Sequence, residues 1–204
     1  MVQTQPSTLT FADYLAYDDG TDTRYELVRG HLVVMTPPTW QHLLIARYLE
    51  RIFEAAIEQS GADWLAIQGA GQQVDEETSR LPDVMVVPLA AIQDAGESTA
   101  ILQEAAIVAV EIVSPSSVAD DYLHKLAEYE AKGILEYWIL DPQALGAARY
   151  IGSPKRPMVS IYHLVDGEFS APLRYRDQET IESTIFPQLQ VTAQEILQGN
   201  HSRA

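Results

Sequence analysis

Three side chains in this sequence have the types and spacing to do chemistry together: Asp83, Glu111 and Lys125. Glu111 interrupts the apolar run Ala106–Val113. A carboxylate inside a strand buried on both faces is costly unless an ion, a cation or hydrogen bonds compensate it. Asp83 follows Pro82 at the start of a second apolar run, Leu81–Val87, and Pro82 is tolerated at a first strand position. Lys125 stands three residues after Tyr122 and four before Tyr129, so on a helix the three share one stripe. Carboxylates from two neighbouring strands suit Mg2+ or Mn2+, which prefer hard oxygen ligands. Such an ion polarises a phosphoryl oxygen and orients or generates an attacking water. A nearby ammonium positions that water or stabilises developing negative charge. The chemistry these residues suggest is metal-assisted cleavage of a phosphodiester.

Each residue also has a plainer reading. Asp83 after a proline ends a turn. Glu111 pairs with an arginine as a structural ion pair. Lys125 snorkels from a helix edge. The conjunction is more specific than its members, because all three fall in suitable elements in a suitable order.

The elements that must position them follow from patterning. Thr10–Asp13 opens a short helix. Tyr25–Val28 and His31–Met35 flank Arg29-Gly30 as a hairpin. Leu44, Ile45, Tyr48, Leu49, Ile52, Phe53 and Ala56 recur at helical spacing, which predicts a helix over Trp40–Ser60 closed by Gly61. Trp64–Ile67 and Gln72–Val74 are short strand candidates, and Asp75–Ser79 is a polar turn. The run Pro88–Gln103 is a mixed connection with a helical turn near Leu89–Gln93. Ala106–Val113 reads as a strand covered on both faces. A helix opens at Asp120 or Asp121 and runs to Lys132, with Gly133 as its stop. Glu136–Leu140 is the next strand. By alternation Glu111 shares a face with Ile107, Ala109 and Val113.

The remainder reads as a β-rich annex, with strands at Ala147–Ile151, Met158–Val165 and Thr180–Ser183. Asp166-Gly167 is a hairpin turn, and Thr192–Glu195 caps a last short helix. Residues 1–8 are polar and end-like. No repeat or linker divides the 204 residues, so one domain over 1–204 is expected, with residues 166–204 as the C-terminal annex.

Composition limits the partners. Apolar residues make up 47% of the chain, which is enough for a core. There are no cysteines, which removes disulfides, thiolate metal sites and cysteine nucleophiles and is compatible with a reducing compartment. No signal segment opens the chain and no apolar run reaches membrane-spanning length, so a soluble cytoplasmic protein without membrane association is expected. The 13 Lys and Arg against 29 Asp and Glu give a net charge of -16. That disfavours a tight, non-specific nucleic-acid binder, because such affinity comes from phosphate neutralisation. A weak or transient contact through a local positive patch is compatible with it.

Against this background the sequence resembles a known family. Arg80-Leu81-Pro82-Asp83-Val84, then Glu111-Ile112-Val113-Ser114-Pro115-Ser116, then Asp121, Lys125, Tyr129, Gly133 and Glu136–Pro142 together resemble the Uma-two family of restriction-endonuclease-like proteins. Tyr25–Val28, Gly30, Leu32-Val33, Met35, Pro37 and His42 are similar to its opening pattern. The likeness covers residues 10–165. It implies the PD-(D/E)XK nuclease superfamily: an α/β fold with a mixed sheet in the order αβββαβ, here with an N-terminal hairpin and the annex. It further implies Asp83 and Glu111 as ligands of Mg2+ or Mn2+, DNA as the substrate and partner, and a homodimer. The superfamily places a lysine two residues after the glutamate, where this chain has Val113. The resemblance assigns that role to Lys125 on the following helix. Glu26 and His42 also match the pattern, either completing a metal shell or relaying a proton, and a hydrogen-bonded structural role is open for His42. The alternative is a non-enzymatic dimeric binding or regulatory module that keeps the fold.

Overall fold

A computed structural model describes residues 8–96 and 98–200. The reading of the first residues as a polar end lies, for residues 1–7, outside the described part. Thr10 accepts from the Asp13 backbone N–H while the Asp13 carboxylate accepts from Thr10 N–H, which caps α1 (Phe11–Leu15) from both sides. The antiparallel hairpin β1 (Tyr25–Val28) and β2 (His31–Val34) turns at Arg29 and Gly30, with φ of 50° and 75°. Two positive φ values make the turn whose twist matches the flanking strands.

Helix α2 occupies Trp40–Ser60 as the spacing predicts, with Thr39 accepting from His42 N–H at the start and left-handed Gly61 at the end. Then follow β3 (Trp64–Ile67), β4 (Gly71–Gln73), β5 (Ser79–Arg80), β6 (Val84–Pro88), β7 (Ile101–Leu102) and β8 (Val108–Ile112). After them come α3 (Lys125–Lys132), β9 (Glu136–Asp141), α4 (Ala148–Ile151), β10 (Met158–Val165), β11 (Glu168–Phe169), β12 (Leu173–Tyr175) and α5 (Ala193–Gln198).

The strands form two sheets. One has five strands in the order β2-β1-β5-β4-β7. The other has seven, in the order β11-β10-β9-β8-β6-β3, with β12 paired to β10. β8 and β9 pair in parallel, so the chain between them must cross over the sheet, and α3 is that crossover. Every residue of β8 and β9 is buried, which explains their continuous apolar character. Val108, Val110, Ile112, Trp138 and Leu140 face α2 and α5, where Phe53 meets Trp138 edge-on at 5.2 Å and stacks on Phe186 at 5.2 Å. Met85, Ala109, Val113, Tyr137 and Ile139 face the α3 side with Tyr122 and Tyr129. This is a mixed α/β fold with the αβββαβ order in α2, β3, β6, β8, α3 and β9.

The structure corrects several boundaries. The strand expected over Leu81–Val87 starts at Val84, because Asp83 turns its own carboxylate onto the ladder and accepts from Ile112 N–H at 2.7 Å. Ile107 packs with the α2 layer rather than on the Glu111 face. The helix expected from Asp120 begins as a π turn over Asp120–His124, and only then becomes α3. Tyr137 donates its hydroxyl to the Asp121 carbonyl at 2.8 Å, which draws that carbonyl away from regular helical pairing. Ala147–Ile151 is helical instead of extended: Tyr150 and Ile151 N–H both return to the Ala147 carbonyl. In so short a run helix and strand periods cannot be told apart. Thr180–Ser183 makes a single bridge, Thr180 to Thr192, and the strand of this region is β12. The annex beyond residue 165 therefore holds two short strands, α5 and ordered loop.

Candidate active site

The residues singled out above meet at one end of the seven-stranded sheet, on the α3 side, along a groove of about 1050 Å³ lined by Glu26, His42, Asp83, Glu111 and Lys125 among others. β8 carries Glu111 into the interior, where it is 3% exposed. The π turn and the first turn of α3 carry Asp121 and Lys125 down to meet it. Lys125 Nζ donates to Glu111 Oε2 at 2.7 Å, and Tyr129 Oη donates to Glu111 Oε1 at 2.6 Å. Both carboxylate oxygens are thus engaged. Lys125 is 5% exposed, so it does not snorkel, and the partner of Glu111 is this lysine rather than an arginine.

Asp83 stands at the mouth, one position before β6. It receives the Ile112 N–H on Oδ2 and contacts His42 Nε2 through Oδ1 at 2.6 Å. His42 sits in the first turn of α2, where Thr39 also caps its backbone N–H, so helix capping and the Asp83 contact are made by one residue. Glu26 arrives from β1. It accepts from Arg80 Nη1 at 3.1 Å and from Leu81 N–H at 2.9 Å, and its Oε1 is 3.9 Å from Lys125 Nζ. The Glu26 carboxylate thus braces the far side of the lysine.

Sequence reasoning left out four members of this cluster. Asp121 is 1% exposed and lies 3.2 Å from Lys125 Nζ through Oδ1; this is a charge contact without hydrogen-bond geometry, since that oxygen has no hydrogen-bond partner among the described residues. Its Oδ2 accepts from Ser117 Oγ at 2.5 Å. Tyr129 holds Glu111. Arg80, 2% exposed, forks onto Glu128 at 2.7 and 2.8 Å while also holding Glu26. The i to i+4 spacing of Asp121 and Lys125 was the available signal for the first. Nothing local in the sequence joins Arg80 to Glu128 across 48 residues.

Charge in this cluster does not balance. Burial pushes the Glu111 carboxyl well above its usual range, and Asp121, Asp83 and Glu26 add to that, while Lys125 opposes it. Burial likewise raises Asp121, against Lys125 and Ser117. Burial alone would depress the Lys125 ammonium, but Glu111, Asp121 and Glu26 outweigh it and hold that pKa well above the ordinary lysine value. Lys125 is therefore a fixed cation. The surplus is negative, the donors are all hard oxygens, and one buried carboxylate oxygen, Asp121 Oδ1, has no hydrogen-bond partner among the described residues. These residues fit a divalent cation of the Mg2+ type, which binds through one or two carboxylates and otherwise keeps water and phosphate oxygens. Among the described residues no three His, Cys, Asp or Glu side chains converge as a ready-made metal group.

The imbalance predicts a pH effect. A carboxyl with a raised folded pKa contributes stability that is fully present below its ordinary value of 4.5 and is lost as pH climbs through the raised value. Without added metal, wild type is expected to lose thermal stability relative to Glu111→Gln as pH rises from about 5 to about 8. Melting curves of the two proteins across that range check this, and a constant difference between them would show that no proton is held there.

The sheet order, the crossover helix and the acidic groove define a restriction-endonuclease-like fold of the nuclease class. A model of the Uma2 family, described as "Putative restriction endonuclease", matches residues 11–194, and the chain belongs to that family. Among solved structures, that of "a putative nuclease belonging to DUF820 from Anabaena variabilis ATCC 29413" superposes with a TM-score of 0.72 over 94% of this chain and 98% of that one. At 15% identity that likeness establishes the fold. A search of curated proteins found no match. Among the described residues, no helix is long and apolar enough to cross a membrane.

Proposed function

We propose that this protein is a metal-dependent hydrolase of phosphodiester bonds acting on DNA, with Asp83 and Glu111 as the ligands of Mg2+ or Mn2+ and Lys125 in the place of the lysine that Val113 lacks. The observation that carries the reading is the buried 2.7 Å contact of Lys125 with Glu111 at the groove floor. A cation so deeply placed among carboxylates is costly to keep unless it serves the site, since apolar replacements of buried ion pairs are often neutral or stabilising.

The bound ion would supply Lewis-acid polarisation of the phosphoryl oxygen and acidify a water. The protein's own residues do the rest. Asp83 is held in one orientation by Ile112 N–H and His42, so its outward lone pairs are set before an ion arrives. Tyr129 fixes the Glu111 carboxylate on its other oxygen. Lys125 keeps its proton, so it stabilises charge developing on phosphate oxygens and does not serve as a base. Glu26 and Asp121 flank the ammonium and limit its travel. Cleavage of both strands of a duplex calls for two such grooves, which favours a homodimer.

The test is incubation of linear and circular DNA with the purified protein in Mn2+ or Mg2+, with and without a chelator, alongside Mn2+ titration of Asp83→Asn by calorimetry. The expected result is cleavage that the chelator stops and ion affinity lowered about 10- to 100-fold by the substitution. Cleavage that survives chelation, or ion affinity equal to wild type in Asp83→Asn, would overturn the assignment.

A further inference from the structure

The cations of this acidic chain are not spread evenly. Residues 142–176 hold Arg149, Lys155, Arg156, Arg174 and Arg176 against Asp166 and Glu168, whereas the rest of the chain has eight cations against 27 acids. The topology gathers three of these five, Arg156, Arg174 and Arg176. Arg156 stands two residues before β10, and β12 runs antiparallel beside that strand, with Ser160 opposite Arg174 and Val159 opposite Tyr175. Arg156, Arg174 and Arg176 line a second cavity of about 630 Å³ together with Met158, Asp177 and Glu179. Arg149, on α4, lies over the Tyr150 ring at 4.7 Å, and Tyr150 stacks on Tyr122 of the π turn at 4.6 Å.

The cluster shares its end of the sheet with the acidic groove. Met158 is opposite Asp141 in the β9–β10 ladder, and Ile112 is opposite Leu140 in the β8–β9 ladder. The beginning of β10, the end of β12, and the ends of β9 and β8 therefore lie side by side. Met158 and Tyr162 face the α3 side, and Ser160, two residues from each, shares that face and places its partner Arg174 there too. Three strand spacings separate β8 from β12, roughly 14 Å. One strand of duplex DNA presents a phosphate every 3.4 Å of axis, so the gap matches about four nucleotides.

We infer that the Arg156–Arg174–Arg176 cluster is a docking site for the phosphate backbone of DNA, holding the strand a few nucleotides from the bond that the acidic groove acts on. The inference rests on the proposed hydrolase reading and names where its substrate is held. A groove with surplus negative charge repels a polyanion, so the attraction has to come from elsewhere on the same face, and these three arginines lie at that end of the sheet. Arg156 and Arg174 are exposed. Arg176 is anchored, donating to the Ile151 carbonyl, and its Nε is buried without a hydrogen-bond partner among the described residues. Asp177 holds Arg156 at 3.1 Å and Glu179 accepts from Arg176 N–H, so the three guanidiniums keep a surplus of one positive charge over these two carboxylates.

The experiment is fluorescence anisotropy of labelled duplex DNA in Ca2+, without Mg2+ or Mn2+, over a range of salt. Arg156→Gln/Arg174→Gln is expected to bind about tenfold more weakly, with the slope of log affinity against log salt reduced by about two. Asp177→Asn, which releases Arg156, is expected to bind more tightly. Arg47→Gln, exposed on α2, serves as the control and stays at wild-type affinity. Cleavage by the double variant at saturating DNA is expected to stay near wild type while KM rises. If wild type binds DNA and the double variant binds equally well, the docking site is overturned and the hydrolase reading stands. If wild type fails to bind DNA even at low salt, both fall.

Discussion

Replacing Lys125 with methionine is expected to lower metal-dependent cleavage of DNA by about 10²- to 10³-fold, with most of the loss in kcat. Methionine keeps the length and apolar stem of lysine, so the packing of Tyr129 of α3 on Tyr137 survives and the ammonium alone is removed. Breaking a buried pair commonly costs about 3–5 kcal/mol, because the remaining charge has no partner. Here that cost is smaller, since Glu111 retains the Tyr129 hydroxyl and already tends to keep a proton. The variant should fold, which a melting curve verifies before its kinetics are measured. Glu111→Gln is the companion, because it keeps shape while losing a carboxylate, and its cleavage should fall at least as far. A Lys125→Met variant within threefold of wild type would show that the ammonium is structural, and cleavage undiminished in both variants would point to a contaminating nuclease.

The second large effect lies far from the groove. Glu136, at the start of β9, is fully buried, and its carboxylate gathers much of the annex. It accepts from the backbone N–H of Thr184 at 2.6 Å and of Ile185 at 3.0 Å, from Ser183 Oγ at 2.8 Å, from Thr184 Oγ1 at 2.8 Å and from Trp138 Nε1 at 2.9 Å. His163 Nδ1 lies 3.1 Å from it. Glu136→Ala leaves these donors without an acceptor in a site with little access to water, and each orphan costs about 1–3 kcal/mol. Relaxation and water entry reduce the sum, so a net loss of about 4 kcal/mol, or roughly 10 °C in Tm, is expected from thermal and urea unfolding. A loss below about 1 kcal/mol would mean that the 183–185 loop is held by packing alone. The loop matters to the site because Phe186, next along the chain, stacks on Phe53 of α2, the helix whose first turn carries His42 to Asp83.

The difference between what was legible in the sequence and what was not has a physical cause. Trp40–Ser60 repeats its apolar stripe over many turns and carries its own cap and stop, so local physics decides it. Met158–Val165, with Asp166-Gly167 behind it, is as self-contained. Asp83, Glu111 and Lys125 could be picked out because a charge among apolar residues is conspicuous. Their mutual placement could not be read, since the distance between β8 and α3 depends on the whole sheet. The Glu136 carboxylate went unnoticed for a different reason. It opens a strand, where an acid is ordinary, and its donors other than Trp138 lie nearly fifty residues away. Ala147–Ile151 failed because five residues carry no clear period and the Tyr122 ring that supports Tyr150 is supplied by another element. Tyr137 widening the helix at Asp121 is likewise a tertiary act with no trace in the local pattern.

That widened turn sets the rotational phase of everything after it. An α-helix advances about 100° per residue, so one residue more or less between Ser117 and Lys125 would swing the ammonium from the groove floor to the flank of the helix. The length of this segment is then under tighter constraint than its composition. Exchanges of side chain at Ala119 or Leu123 leave the lysine on its bearing, whereas a single insertion or deletion turns it away while every strand of the sheet stays where it is.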